Sequence, residues 1–311
     1  MKAFVPTGRP DALVALADVD MPRPAPGEAL VKVEAFSVNR GEIFRLENPH
    51  PGARPGKDIA GLVVQAAADG TGPAAGQRVA GHPEAGGWAE YAAVPAASLA
   101  PLPDNVPVTQ AAALPLAGLT ALRLLRTAGH IIGRRILLTG ASGGVGHYVT
   151  ELAASAGAEV TAVTASTERG QRLTTLGAAA VIRNVADAAG QFDIVMESTG
   201  GKNLALALGR LAPGATLIWF GQASRTPATL SFFDILSGPQ TATIRTFAYW
   251  DTPVSYGEDL AILVRLVATG RLHPEIGRLA GWADTAATLT DLHHRRIRGN
   301  AVLTTLQEKI T

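Results

Sequence analysis

The chain has 311 residues, 47% hydrophobic and 17% charged, with a formal net charge of +1. That is a globular protein long enough for two cores, and its charge gives no attraction to nucleic acid or to an anionic membrane. The absence of cysteine excludes disulfides, thiolate catalysis and cysteine-ligated zinc. No apolar stretch of 18 residues and no basic region followed by an apolar run is present, so a cytoplasmic location is expected.

From residue 1 to about 107 the pattern is short strands broken by proline and glycine, with strands predicted at 29–36, 61–66, 77–80 and 88–94. Such spacing reads as a compact β-rich domain, a partly open barrel. From about 108 to 247 strands and helices alternate: an apolar run from Ile136, a helix at 147–156, strands at 159–164, 178–182, 192–197 and 215–220, and a helix at 201–211. Alternation of this kind implies a parallel sheet covered on both faces. Beyond 251 come a helix at 256–269 and short segments at 274–279, 283–295 and 301–306. These last pieces are too short for a core of their own and are expected to return to the first domain. The expected domains are therefore 1–112 with 252–311, and 113–251.

The most informative segment is the turn Gly140-Ala141-Ser142-Gly143-Gly144-Val145-Gly146, which follows the apolar run and opens a helix. Glycine serves two purposes there: a sharp bend, and close approach of backbone to a pyrophosphate. The N–H groups at the helix start then hold the anion, aided by the helix dipole. With a strand before it and a βαβ unit completed after it, the turn has the context a dinucleotide site requires.

The end of the next strand bears on which dinucleotide. NAD sites usually carry Asp or Glu about 20 residues beyond the glycines. Here the strand ends Val163-Thr164-Ala165-Ser166-Thr167, without a carboxylate, and Arg169 and Arg172 follow. A hydroxyl from Ser166 and a guanidinium from Arg169 suit a 2′-phosphate, so NADP(H) is the expected cofactor. Two alternatives stay open: Ser166 as a helix N-cap, and Glu168 pairing with Arg172 along the helix.

Several further segments stand in a telling order: Met1-Lys2-Ala3, Pro26-Gly27-Glu28-Ala29-Leu30-Val31-Lys32-Val33, Gly86-Gly87-Trp88-Ala89-Glu90-Tyr91, and Ala113-Leu114-Pro115-Leu116-Ala117-Gly118-Leu119-Thr120-Ala121. With the glycine turn, they resemble the medium-chain dehydrogenase/reductase superfamily, and within it the zinc-independent quinone oxidoreductases, over nearly the whole chain. The resemblance implies an α/β fold: a Rossmann doubly wound parallel sheet plus a discontinuous β-rich GroES-like catalytic domain, with nicotinamide meeting substrate in a cleft.

Departures from the zinc-dependent relatives are equally informative. Asn39, Lys57 and Leu116 stand where those relatives place the catalytic zinc ligands, and the four cysteines of their structural zinc loop are missing. No metal is expected. His82, in a glycine-rich loop, reads as a solvated residue. The resemblance places Asn39 facing the nicotinamide, where its amide would donate to a substrate carbonyl or a ribose hydroxyl; a polar cap in the loop 37–42 is the alternative. It also places Asn300 near the cofactor, Thr120 at its nicotinamide side or else bonded to its own helix, and Arg183 where relatives carry a tyrosine; Gly221 follows a strand at the carboxyl end of the sheet, where such folds bind ligands. Phe247, Tyr249 and Trp250 would wall a pocket for a planar substrate, or else pack a domain junction. The cluster from His293 to Arg298 reads as a solvated helix end.

The implied activity is metal-independent hydride transfer from NADPH to a quinone or an α,β-unsaturated carbonyl. Two other readings remain open: a reductase domain acting on a carrier-bound or polyketide-like intermediate, and a non-enzymatic, crystallin-like or regulatory NADPH-binding protein. The β-branched run 241–247 is a candidate edge strand, and a homodimer is expected through it.

Overall fold

Sequence periodicity changes from two to about 3.6 near residue 108, and the architecture changes with it. A computed structural model describes residues 1–233 and 238–305. These divide into two compact units, Met1–Leu119 with Pro253–Thr311, and Thr120–Thr252. The fold class is α/β, with a GroES-like β-rich unit and a Rossmann unit. Among the described residues no helix is long and apolar enough to cross a membrane.

The first unit opens with an antiparallel hairpin, β1 (Lys2–Arg9) and β2 (Ala12–Asp18). The sequence reading lacks this pair because Pro6 and Pro10 look like strand breakers. Instead, the register shifts between Pro6 and Arg9, and the proline is absorbed at that irregularity. The main sheet contains β3 (Glu28–Val38), β4 (Ile59–Gln65), β5 (Arg78–Gly81), β6 (Tyr91–Pro95) and β7 (Leu99–Pro101). It is completed from the end of the chain by β14 (Ile276–Gly281) and β15 (Asn300–Thr304), in the order β14-β15-β3-β4-β5-β7 with β6 also on β3. The predicted strand at 301–306 thus starts one residue earlier, and Leu306 lies outside the described residues.

β3 is the hub of this sheet. Its run Glu-Ala-Leu-Val-Lys-Val-Glu-Ala-Phe-Ser-Val is mostly buried, and it has three partners because residues 28–32 pair with β6 and residues 35–38 with β15, while β4 runs beside residues 30–36 with two register shifts. Phe36 stacks on Trp88 at 6.0 Å between centroids, and Phe4 meets Phe36 edge-on at 6.4 Å. These rings anchor the core of the unit. Helices α1 (Arg40–Glu47), α2 (Val108–Ala112), α7 (Tyr256–Ala268) and α8 (Thr285–His293) complete it, with α3 (Pro115–Ala128) crossing the unit boundary.

The second unit is a six-stranded, all-parallel sheet. Its strands are β8 (Arg135–Leu138), β9 (Glu159–Val163), β10 (Ala180–Ile182), β11 (Phe192–Glu197), β12 (Leu211–Trp219) and β13 (Thr243–Thr246), ordered β10-β9-β8-β11-β12-β13. The order reverses at β8, so the carboxyl ends of β8 and β11 form the switch point where such sheets bind ligands. Helices α4 (Gly144–Ser155), α5 (Thr167–Thr175) and α6 (Lys202–Leu208) provide crossovers. The predicted helix at 201–211 is too long. It closes at Gly209, and Leu211 already begins β12, paired with Phe192. Alanine and leucine continue the helical pattern there, but the pairing with β11 overrides it.

Candidate active site

The glycine turn leaves β8 and enters α4 as its spacing predicts. Gly140 has φ of 64°, and a Cβ there would lie 2.5 Å from Ser198 Oγ. A Cβ on Gly146 would lie 2.3 Å from the carbonyl oxygen of Ala141, so α4 seats against the end of β8 only with glycine at this position. The N–H groups of Gly144, Val145 and Gly146 open the helix and lack acceptors within it. This is a cradle for an anion, and the residues present suit a pyrophosphate. His147 is buried, its Nδ1 2.9 Å from the carbonyl oxygen of Gly143, and it holds the turn from the helix side.

Ser166 and Arg169 lie beside this turn. Ser166 caps α5 by accepting from the Arg169 N–H at 3.3 Å, so the N-cap alternative is realised. The Arg169 side chain also reaches the turn, its Nε donating to Ser142 Oγ at 3.2 Å. Thr164, at the end of β9, is buried, and no carboxylate stands between it and Arg169 except Glu168. Arg183, beyond β10, is exposed.

The opposite side of the switch point is built by residues the sequence reading passes over. Glu197, fully buried at the end of β11, accepts from Thr139 Oγ1 at 2.9 Å, from the Thr199 N–H and hydroxyl at 2.9 and 2.6 Å, and from the Gly200 N–H at 2.9 Å. Ser198 completes the lock, its N–H donating to Thr139 Oγ1 and its hydroxyl to the Thr139 carbonyl oxygen. Gly221 belongs here too, since a Cβ on it would lie 3.0 Å from the Ser198 carbonyl oxygen. The signal in the sequence is Glu-Ser-Thr-Gly-Gly at 197–201, a second glycine turn at a strand end.

Thr120 is buried in α3. Arg123, on the same helix, donates to the carbonyl oxygen of Tyr249 at 2.7 Å, and the Tyr249 and Trp250 rings meet edge-on at 5.1 Å. Phe247 is tied by its N–H to the Trp219 carbonyl oxygen at 3.2 Å, while the Trp250 ring stays exposed. The aromatic segment is therefore anchored to the Rossmann unit at both ends.

In the first unit Asn39 stands in a buried polar cluster. It is the N-cap of α1, its N–H donating to Glu42 Oε2 at 2.9 Å as in one half of a capping box. The amide assigned above to a substrate carbonyl is engaged inside the protein, with Nδ2 donating to Asp58 Oδ2 at 2.6 Å. Asp58, fully buried, also accepts from the Ser37 hydroxyl and from the Leu116 N–H at 2.9 Å. His82 corrects the sequence reading: it is 2% exposed, its Nδ1 3.4 Å from Asp58 Oδ1 and its ring against Tyr256 at 4.7 Å. A histidine between Gly81 and Pro83 in a glycine-rich loop looks solvated in sequence, yet the β5–β7 pairing folds this loop inward. Burial, and secondarily Asp58, pushes the Glu42 carboxyl up to about 8.

Asn300 is likewise more committed than the resemblance implies. It is 5% exposed, and its N–H and Nδ2 both donate to the Glu275 carbonyl oxygen, at 2.8 and 3.1 Å. The register Ala301↔Val38 sets it at the same end of the β3–β15 pair as Asn39. At the positions of zinc ligands in relatives stand an amide bound to Asp58, the ammonium of Lys57 and the aliphatic Leu116. Among the described residues, no group of three or more metal-ligating acids and histidines gathers anywhere.

Comparison with known proteins adds the family. Residues 25–104 match the alcohol dehydrogenase GroES-like domain, and residues 144–263 match the family described as zinc-binding dehydrogenase. The chain is 35% identical over 223 residues to a 2-methylene-furan-3-one reductase of Solanum lycopersicum, covering 64% of this chain and 57% of that one. It thus spans little more than half of that relative. Similarity to a quinone oxidoreductase of Sus scrofa is 29% over 308 residues, 93% of this chain and 92% of the other. The solved structure of a mycobacterial protein complexed with NADPH superposes with a TM-score of 0.87 at 25% identity, over 98% of this chain and all of that one. Two domain matches in the order the architecture requires, and a relative matched over 93% of the chain, place the protein in the medium-chain dehydrogenase/reductase superfamily, in its quinone oxidoreductase-like branch.

Proposed function

We propose that the chain is an NADP(H)-dependent oxidoreductase that reduces a quinone or an α,β-unsaturated carbonyl without a metal. The observation that carries this reading is the Arg169 guanidinium drawn onto Ser142 of the glycine turn, with a hydroxyl and no carboxylate ending β9. A guanidinium with hydroxyls beside it favours a 2′-phosphate over a bare ribose. The relatives, a 2-methylene-furan-3-one reductase and quinone oxidoreductases, favour the same chemistry. When bound, the dinucleotide would supply the hydride, and that chemistry is its own.

The residues then have distinct tasks. Gly140 to Gly146 and the start of α4 would hold the pyrophosphate, with Ser166 and Arg169 at the adenosine phosphate. Thr120 and Asn300 are proposed at the cofactor on the resemblance alone, and Gly221 on its place at the carboxyl end of the sheet. Asn39 would act through fixed orientation. Asp58 holds its Nδ2 at 2.6 Å, whereas Ser37 Oγ and Glu42 Oε2 are both 3.4 Å away. At that length they hold the second amide hydrogen only weakly, which leaves it for an acceptor carbonyl. Phe247, Tyr249 and Trp250 would supply flat apolar surface to the substrate.

A panel of quinones, enones and aldehydes, followed by NADPH absorbance, tests the reading. Turnover of quinones or enones is expected to survive chelators, and Asn39→Ala is expected to lower kcat/KM by tenfold or more. Tight NADPH binding with no turnover across the panel overturns it in favour of a non-enzymatic binding protein. Loss of activity on chelation, restored by zinc, overturns the metal-independent part.

A further inference from the structure

A cavity of about 480 Å³ lies wholly within the first unit, in the loop region after α1. Leu46, Ala53 and Pro55 give it an apolar wall, and Arg45, His50, Arg54 and Lys57 are also among its lining residues. Its acids are Glu42 and Glu84. Glu42 is held up to about 8, and Glu84 and the buried Asp58 are the other acids whose charge acts on Lys57.

Two observations bear on the cations of this lining. Among the described residues neither the Arg45 nor the Arg54 guanidinium makes an ion pair or hydrogen bond. Lys57 is held below the usual lysine range by burial and then by Arg45, against the opposing pull of Glu42, Asp58 and Glu84. An anion seated among them would remove that repulsion. The cavity also adjoins the proposed reaction position: Glu42 forms part of its wall and accepts the Asn39 N–H, and Lys57 precedes the Asp58 that holds the Asn39 amide.

We propose that this cavity binds an anionic group carried by the substrate, with Arg45, Arg54 and Lys57 as specificity-determining residues. The substrate class is then an amphiphile with an apolar body, a reducible enone or quinone, and a carboxylate or phosphate at one end. The inference rests on the hydride-transfer reading. A carboxylate on the substrate itself and a phosphate on a pantetheine arm present the same chemistry, and matched substrates separate them.

The test uses the full chain with NADPH and two pairs of compounds. One pair is 4-phenylbut-3-en-2-one bearing a para-carboxylate or a para-carboxamide. The other is the crotonyl thioester of 4′-phosphopantetheine or of pantetheine. In at least one pair the anionic member is expected to be preferred roughly tenfold in kcat/KM, the scale of a charge-assisted contact. The preference should shrink with added salt and fall towards unity in the double variant Arg45→Gln with Arg54→Gln. Preference confined to the first pair identifies a carboxylate substrate, and to the second a phosphate arm. Equal kcat/KM within both pairs, or a preference that survives the double variant, overturns the proposal. If no compound turns over, the hydride-transfer reading has failed, and calorimetric titration of the same four compounds still decides about the cavity. Tighter binding of the anionic members, lost in the double variant, upholds it. Equal binding overturns it.

Discussion

Arg169 reaches back 27 residues to Ser142, joining the start of α5 to the glycine turn. In the proposed reading this guanidinium meets the phosphate on the adenosine ribose. Arg169→Ala is therefore expected to weaken NADPH binding roughly tenfold or more while leaving NADH nearly unchanged. Fluorescence titration of both cofactors checks this, and equal affinities in the unaltered protein would sink it. Glu42 makes a second prediction. Its folded-state value near 8 lies above the ordinary carboxyl value of 4.5, so between those limits the folded state binds more protons than the unfolded chain. Its contribution is intact below about pH 4.5 and is lost as pH rises through 8, on the order of a few kcal/mol. Urea unfolding at pH 6 and pH 9 should show a larger fall for the unaltered protein than for Glu42→Gln. Parallel pH dependence in the two would refute it.

At the scale of elements, the contact of α4 with β8 is set by one missing methyl. A Cβ on Gly146 would lie 2.3 Å from the Ala141 carbonyl oxygen and 2.5 Å from its Cα, both backbone atoms with no rotamer to relax into. Gly146→Ala should push the helix off the strand end, at a cost of about 1–3 kcal/mol. A lowered urea midpoint together with weaker NADPH binding is the expected result, and an unchanged midpoint would show that the helix accommodates the methyl. The sequence made this helix legible because strand, glycine turn and helix are contiguous. The hairpin β1–β2 was illegible for the opposite reason, since Pro6 hides a strand whose partner and register accommodate it.

For the whole molecule, β13 is the open question. It ends the Rossmann sheet, pairs with β12 on one side, and all four of its residues are exposed. An uncovered strand edge invites pairing, and a two-fold partner would continue the sheet. Light scattering behind a sizing column should give about twice the 32.1 kDa chain mass. Ile244→Lys, which places a charge on a residue already 42% exposed, should return it to the single-chain mass with cofactor binding retained. A single-chain mass for the unaltered protein would refute the dimer.

The sequence by itself determined what contiguous residues encode. The glycine turn between strand and helix, the alternation of a parallel sheet, the absence of a carboxylate at the end of β9 and the superfamily resemblance all lie in short, ordered segments, where local sterics and periodicity set the outcome. Tertiary structure alone decided the rest. It made Asp58 the acceptor for Ser37, Asn39 and Leu116, buried His82 beside it, and committed Asn300 to Glu275. It also brought β15 beside β3 from the far end of the chain. Each of those side chains has several partners open to it in sequence, and only the long-range return of the chain, driven by burial of β3 and its neighbours, selects one.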